Sequence, residues 1–258
     1  MTSLADLRTQ IDALDAELLR LIDARAALGQ AIGAAKAKEA GNAVAGSLLR
    51  PDREAMLIRK LLNMPRQAAS DGVVVRIWRE LISENLRIQG GLHLNLSSAD
   101  HSQEVLVWAR ERFGFAPSFT HLNGPQDVIA AARDPRHIGV LSLDPRGGAW
   151  WARLLVEPRV RIIAALPEQS TGRPHGVAIA ALTPEPTGDD ITFFVSDSSD
   201  HENRIIETLG RLGFAAEWLC SAQGLKLFGL AGYVQENDLR LGGALGSLSG
   251  IIGAAPRL

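Results

Sequence analysis

The chain has 258 residues, 46% of them hydrophobic and 22% charged, with a formal net charge of -2. That is enough for roughly two globular domains, and it lacks the basic face expected of a nucleic-acid or membrane-surface protein. The single cysteine, Cys220, excludes an internal disulfide and argues against a cysteine-based metal site; set in the strand-like AEWLCSA, it reads as a buried thiol.

The opening MTSLADLRTQIDALD is already an amphipathic helix and not the charged-then-apolar pattern of a signal peptide. No apolar run reaches membrane-spanning length without a charge or a cluster of glycines. A cytoplasmic protein is expected, without nucleic-acid or membrane partners, cofactor or metal.

The first helix opens with Ser3 as N-cap and Asp6 three residues on, and its periodicity runs to about Glu39 before Gly41. At 1.5 Å per residue this is a rod of about 55 Å. Its apolar seam, Leu4, Leu7, Ile11, Leu14, Leu18, Leu21, Leu28 and Ile32, keeps the alternating three- and four-residue steps of a packed helix. Two short helices of the same chain cannot cover a seam that long, so a homodimer through this helix is expected. After a loop, AGNAVAGS, the segment LLRPDREAMLIRKLLNM gives a second helix with Pro51 at its first position. Asp71 is expected to cap a third, VVVRIWRELISENLRIQ, which stops at Gly90 and Gly91.

From Leu92 the pattern changes to short apolar runs alternating with amphipathic segments. Strands are expected in LHLNLSS, PSFTHL, HIGVLSL, VRIIAAL, HGVAIAAL, ITFFVS, AAEWLCS and LKLFGLAGYV. Helices are expected in HSQEVLVWARERF, PQDVIAAAR, GAWWARLL and ENRIIETLGRLG, an α/β alternation. TPEPTGDD, residues 183–190, marks a boundary between two lobes. The stretch SSADHSQE before FGF is echoed by SSDHEN before LGF, two strand–helix units with similar caps. Asp197, Asp200, His201 and Glu202 read as cap and first-turn residues, not metal ligands. The glycine-containing GGALGSLSGIIG lacks the strand–glycine–helix context of a nucleotide fingerprint.

The chemistry gathers in residues 1–90. Arg25 stands where the apolar seam of the first helix should continue, with no acidic partner in the seam. Lys36, eleven residues on, falls within roughly 20° of the same face. On the third helix the apolar stripe Val74, Ile77, Trp78, Leu81, Ile82 runs into Asn85 and Gln89, four apart. The second helix begins with the charged run Arg50 to Glu54. An unpaired buried charge is costly, about 3–5 kcal/mol, so Arg25 points to an anion that comes and goes. Several cations, two amides and the Glu54 carboxylate suit a small dianion bearing a hydroxyl. With no nucleophile or metal set beside them, they would act by positioning and electrostatic stabilisation.

Taken together, LADLRTQIDALDAELLRLIDARAALGQAIGAAK, RPDREAMLIRKLL and RIWRELISENLRIQ resemble the all-helical class of chorismate mutase over about residues 4–90. The resemblance implies an intertwined helical dimer that converts chorismate to prephenate. It implies that Arg25 and Arg8 hold the two substrate carboxylates, Arg8 reaching in from the partner subunit. Lys36 and Gln89 would donate to the breaking ether oxygen, Glu54 would bind the substrate hydroxyl, and Arg53 would add positive potential. Arg50 stands where an acidic residue is common and Asn85 where a serine is common, both still lining the substrate. Beyond residue 90, GVLSLDPRGGAWWARLL faintly resembles a prephenate dehydratase segment, with Asp144 where glutamate is usual and the Thr-Arg-Phe motif absent. The expected whole is an α+β multidomain chain. It comprises a three-helix all-α mutase domain (1–90), a degenerate α/β dehydratase-like lobe (91–188) and an ACT-like α+β segment (189–258) that could take an amino-acid effector such as phenylalanine or tyrosine. Two rivals are an isochorismate-pyruvate lyase on a similar helical site and a non-catalytic helical dimer carrying an amino-acid sensor.

Overall fold

A computed structural model describes residues 2–40, 48–97, 102–170, 172–241 and 245–258; residues 41–47, expected from the sequence as a loop, and part of the first Ser-Ser-Ala-Asp stretch lie outside the described residues. The chain is α+β, an N-terminal helical region followed by a large sheet. Helix α1 (Leu4–Ala40) begins with a reciprocal cap: Asp6 N donates to Ser3 Oγ at 3.1 Å and Ser3 N to Asp6 Oδ2 at 3.0 Å. Helix α2 (Pro51–Leu62) starts on its proline, and α3 (Asp71–Ile88) packs against both α1 and α2. The cap of α3 is Ser70, whose Oγ accepts from Val73 N, and not the expected Asp71, which is the first helical residue.

Among the described residues of α1, those drawn out of solvent, Arg25, Ala26, Gly29 and Gly33, lie in its second half. Leu14 is 63% exposed and Leu18 55%. Residues of this type normally lose about 1.5–3 kcal/mol each by staying in water. The seam read from the sequence is therefore bare along most of its length in the single chain.

Among the described residues nine strands form one sheet: β1 (His93–Ser97), β2 (Ser118–His121), β3 (His137–Ser142), β4 (Arg161–Leu166), β5 (Gly176–Ala180), β6 (Asp190–Ser196), β7 (Ala216–Ala222), β8 (Leu225–Ala231) and β9 (Gly250–Pro256). Their order is β2-β1-β3-β5-β4-β9-β6-β8-β7. Helices α4 (Ser102–Phe113), α5 (Pro125–Ala131) and α6 (Glu202–Arg211) connect strands. The α/β alternation holds at one end only. Strand β1 runs parallel to β2 and β3, joined through α4 and α5, whereas β5 is antiparallel to β3 and β4 because no crossover helix separates β4 from β5. GAWWARLL, expected as an α-helix, forms a 3₁₀ segment over Trp150–Val156, with Trp150 Nε1 donating to Ser142 O at 3.0 Å.

Strand β9 was not expected. It begins in the glycine-rich C-terminal stretch, runs past it to Pro256, and joins the two halves of the sheet through one parallel partner pair, Ile162 with Gly253. Gly253 has φ +144°, and a Cβ there would fall 2.8 Å from Ile162 Cα, so only glycine allows the approach. On one face a single core, with Trp151, Ile179, Phe193 and Ile252, runs beneath both halves. Cys220 is buried in it, as its strand context suggested. His201 caps α6, its Nδ1 accepting from Asn203 N at 3.3 Å.

Candidate active site on the helical domain

Where α1 crosses α3, the small residues Gly29 and Gly33 let the helices close. A Cβ built on Gly29 would lie 3.0 Å from Asn85 Cγ, and one on Gly33 3.1 Å from Gln89 Cγ. Asn85 and Gln89 therefore face the same stripe of α1 that carries Arg25, four and eight residues before those glycines. Arg25 is half-buried, and its Nη1 donates to Leu81 O at 2.8 Å. Burial pulls its guanidinium below the ordinary value, and no carboxylate among the described residues offsets this. Among the described residues that carbonyl is its hydrogen-bond partner, which uses one of the five N–H donors of a guanidinium. Lys36 lies on α1 one further turn along this stripe; its side chain is outside the described residues.

Four other expected residues stand apart from this line. Arg8 is exposed on α1, seventeen residues from Arg25, which is about 25 Å along the axis. It cannot reach Arg25's site in its own chain. Arg53 is exposed on α2. Arg50, just before α2, holds Asp52 with both ends of its guanidinium at 3.1 and 2.9 Å. Glu54 is buried, and its Oε2 accepts from Arg79 Nη1 at 2.9 Å and Arg112 Nη1 at 2.8 Å.

Arg79, Arg112 and Glu168 were not read from the sequence. Glu168 binds Arg79 through both oxygens, Oε2 taking Nε at 2.8 Å, and approaches Arg112 Nε at 3.1 Å. Two cations and two anions thus share one dry site, each side chain 8% exposed or less. Burial, then the charge of Arg112, pulls Arg79 below its ordinary value. A local signal existed for Arg79 alone: it follows Val75 by one turn in the buried stripe of α3, just as Arg25 interrupts that of α1. Arg112 and Glu168 lie 58 and, from Arg79, 89 residues away in sequence, with no local mark.

A long helix with a bare apolar seam is crossed by an amide-bearing helix beside an arginine that meets no carboxylate among the described residues, and this helical region adjoins a mixed sheet. Residues 7–90 match the family model of type II chorismate mutase, so this helical segment is a domain of that family. The bifunctional chorismate mutase/prephenate dehydratase of Neisseria gonorrhoeae is 35% identical over 82 residues, 32% of this chain and 21% of that protein. Its namesake from Pseudomonas aeruginosa is 33% identical over 83 residues, 32% and 23% of the two chains. That of Aquifex aeolicus is 29% identical over 143 residues, 53% and 37%. The chain spans 21–37% of the length of these curated relatives. A solved quorum-quenching acylase, GqqA, overlaps 64% of the chain and 95% of its own at 14% identity and TM-score 0.41, too low for any conclusion. No helix among the described residues is long and apolar enough to cross a membrane.

Proposed function

We propose that the chain is a chorismate mutase, converting chorismate to prephenate in aromatic amino acid biosynthesis. The observation that carries this reading is the alignment of Arg25, Asn85 and Gln89 across the α1–α3 crossing, inside the segment that matches the family. The reaction is unimolecular, so the protein has only to select a compact conformer and stabilise a polar transition state. Arg25 takes one carboxylate. Gln89 and Lys36 donate to the ether oxygen as its C–O bond breaks, and Glu54 accepts from the substrate hydroxyl. Asn85, Arg53 and Arg50 line the remaining wall.

Arg8 supplies the second carboxylate contact from a partner subunit. Its distance from Arg25 and the bare seam of α1 both support an intertwined homodimer. For the rest of the chain the reading is a dehydratase-like lobe over 91–188 without dehydratase activity and an ACT-like segment over 189–258. The strand order β9-β6-β8-β7, all antiparallel with α6 between β6 and β7, supports the second assignment. An amino-acid effector belongs with that assignment.

The test is to incubate the protein with chorismate and identify the product before any acid treatment, because acid turns prephenate into phenylpyruvate. Prephenate is the expected product. Direct formation of phenylpyruvate would make the sheet catalytic. Pyruvate released from isochorismate would favour a lyase, and no turnover at all would favour a sensor.

A further inference from the structure

Glu54 lies within the helical domain, but half of what holds it does not. Its Oε2 accepts from Arg79 of α3 and from Arg112 of α4, which lies beyond residue 90. Glu168, in the connection from β4 to β5, grips Arg79 from the far side and sits against Arg112. Among the described residues both donors on Glu54 meet the same oxygen, and none meets Oε1. The four charges cancel, so the cluster can remain ionised away from water while its positive and negative charges stay balanced. A carboxylate pinned at one oxygen by two crossed guanidiniums has its other oxygen fixed in direction.

We infer that Arg112 and Glu168 are positioning residues of the mutase site, through which the sheet-bearing part of the chain fixes Glu54 so that Oε1 accepts the substrate hydroxyl. This rests on the mutase reading above. On that reading the sheet is part of the site's support, and α2 is set by contacts that the residues 7–90 do not contain. Glu54 meets a hydroxyl that the substrate carries before and during the rearrangement. Loss of its aim therefore weakens substrate and transition state alike and appears in KM more than in kcat. A hydrogen bond to a charged group corresponds to about a tenfold to hundredfold change in KM.

The experiment is saturation kinetics with chorismate on the full chain, comparing Arg112→Met, Arg112→Lys, Glu168→Gln and the double variant Arg112→Met/Glu168→Gln. The double variant leaves Arg79 and Glu54 as a neutral pair, so it keeps the charge balance that either neutralising change alone upsets. Folding is followed by circular dichroism and gel filtration. The expected result is KM raised about tenfold or more in Arg112→Met and in the double variant, with kcat within about threefold. Arg112→Lys should recover part of the loss. A purely structural cluster would instead lower the active fraction, reducing kcat per chain at unchanged KM, and that pattern overturns the inference. So does failure of every variant to fold. A wild type inert toward chorismate overturns the mutase reading as well, whereas an active wild type with unchanged KM in the folded variants overturns this inference alone.

Discussion

Replacing Gly29 by alanine should separate stability from activity. The new methyl would fall 3.0 Å from Asn85 Cγ and closer still to its Oδ1, nearer than a Cβ tolerates, so Asn85 must turn away. The obstacle is the end of a rotatable side chain, and an altered rotamer costs about 0.5–1.5 kcal/mol. Against this, alanine in place of glycine in a helix interior gains about 1 kcal/mol. The two nearly cancel, and the midpoint of thermal unfolding should move by no more than about 4 °C. Activity has no such compensation: a donor lost from a preorganised site costs about a hundredfold in rate. Steady-state disappearance of chorismate and a thermal melt on the same preparation measure both. Gly210→Ala on α6 is the control, since a Cβ there meets nothing within 4 Å; it should gain a little stability and keep full activity. If Gly29→Ala folds and retains kcat/KM within about threefold of wild type, Asn85 is no part of the site.

The seam should be separable from the core. Leu14→Glu with Leu18→Glu changes side chains already exposed in the single chain, so helical content should persist while light scattering reports a monomer and chorismate turnover falls at least a hundredfold; a fully active monomer would refute the shared site. Arg59 of α2 donates to the backbone carbonyls of Thr187, Asp189 and Arg257. Arg59→Met should therefore cost about 1–2 kcal/mol, seen as a melt lowered by roughly 2–8 °C, and an unchanged melt would show that these contacts carry no stability. Burial pushes the Cys220 thiol up to about 12, well above the ordinary 8.5 or so. At pH 8 a disulfide reagent should leave it untouched in the native chain and label it at once in denaturant. Because the unfolded thiol ionises first, stability measured by denaturant titration should also fall as pH rises from about 8.5 toward 12; rapid native labelling at pH 8 would contradict this account.

The helical domain was legible because its signals are local. Ser3 and Asp6, Pro51, and Gly90 with Gly91 mark helix ends within a few residues of themselves, and the Arg25 interruption needs only the periodicity around it. The α3 cap was displaced by one residue because serine and aspartate stand side by side there, and either can cap. Most strands were readable as apolar runs. The 3₁₀ turn at Trp150–Val156 and the strand β9 were not. Trp151 and Leu154 are buried beneath both halves of the sheet, a tertiary demand that overrides the helical pattern. In β9 the residue that looks like a break, Gly253, is the one that admits the strand, and nothing near it in sequence reveals that Ile162 lies alongside. The quartet around Glu54 was hidden for the same reason, since Arg112 and Glu168 acquire their partners only when α2, α3, α4 and the β4–β5 connection meet.

The position of β9 also bears on how the chain is made. Strands β4 and β6, between which it lies, emerge from the ribosome well before it. Roughly 84 residues separate the end of β4 from the start of β9, about 4–17 s of synthesis at 5–20 residues per second. Through that interval for Arg161–Leu166, and over roughly the last 54 residues of it for Asp190–Ser196, the facing edges have unpaired backbone groups and apolar side chains, the kind of edge that pairs with other nascent chains. Slowing translation over residues 167–249, or lowering chaperone supply, should therefore reduce soluble yield more than the stability of the finished protein would suggest.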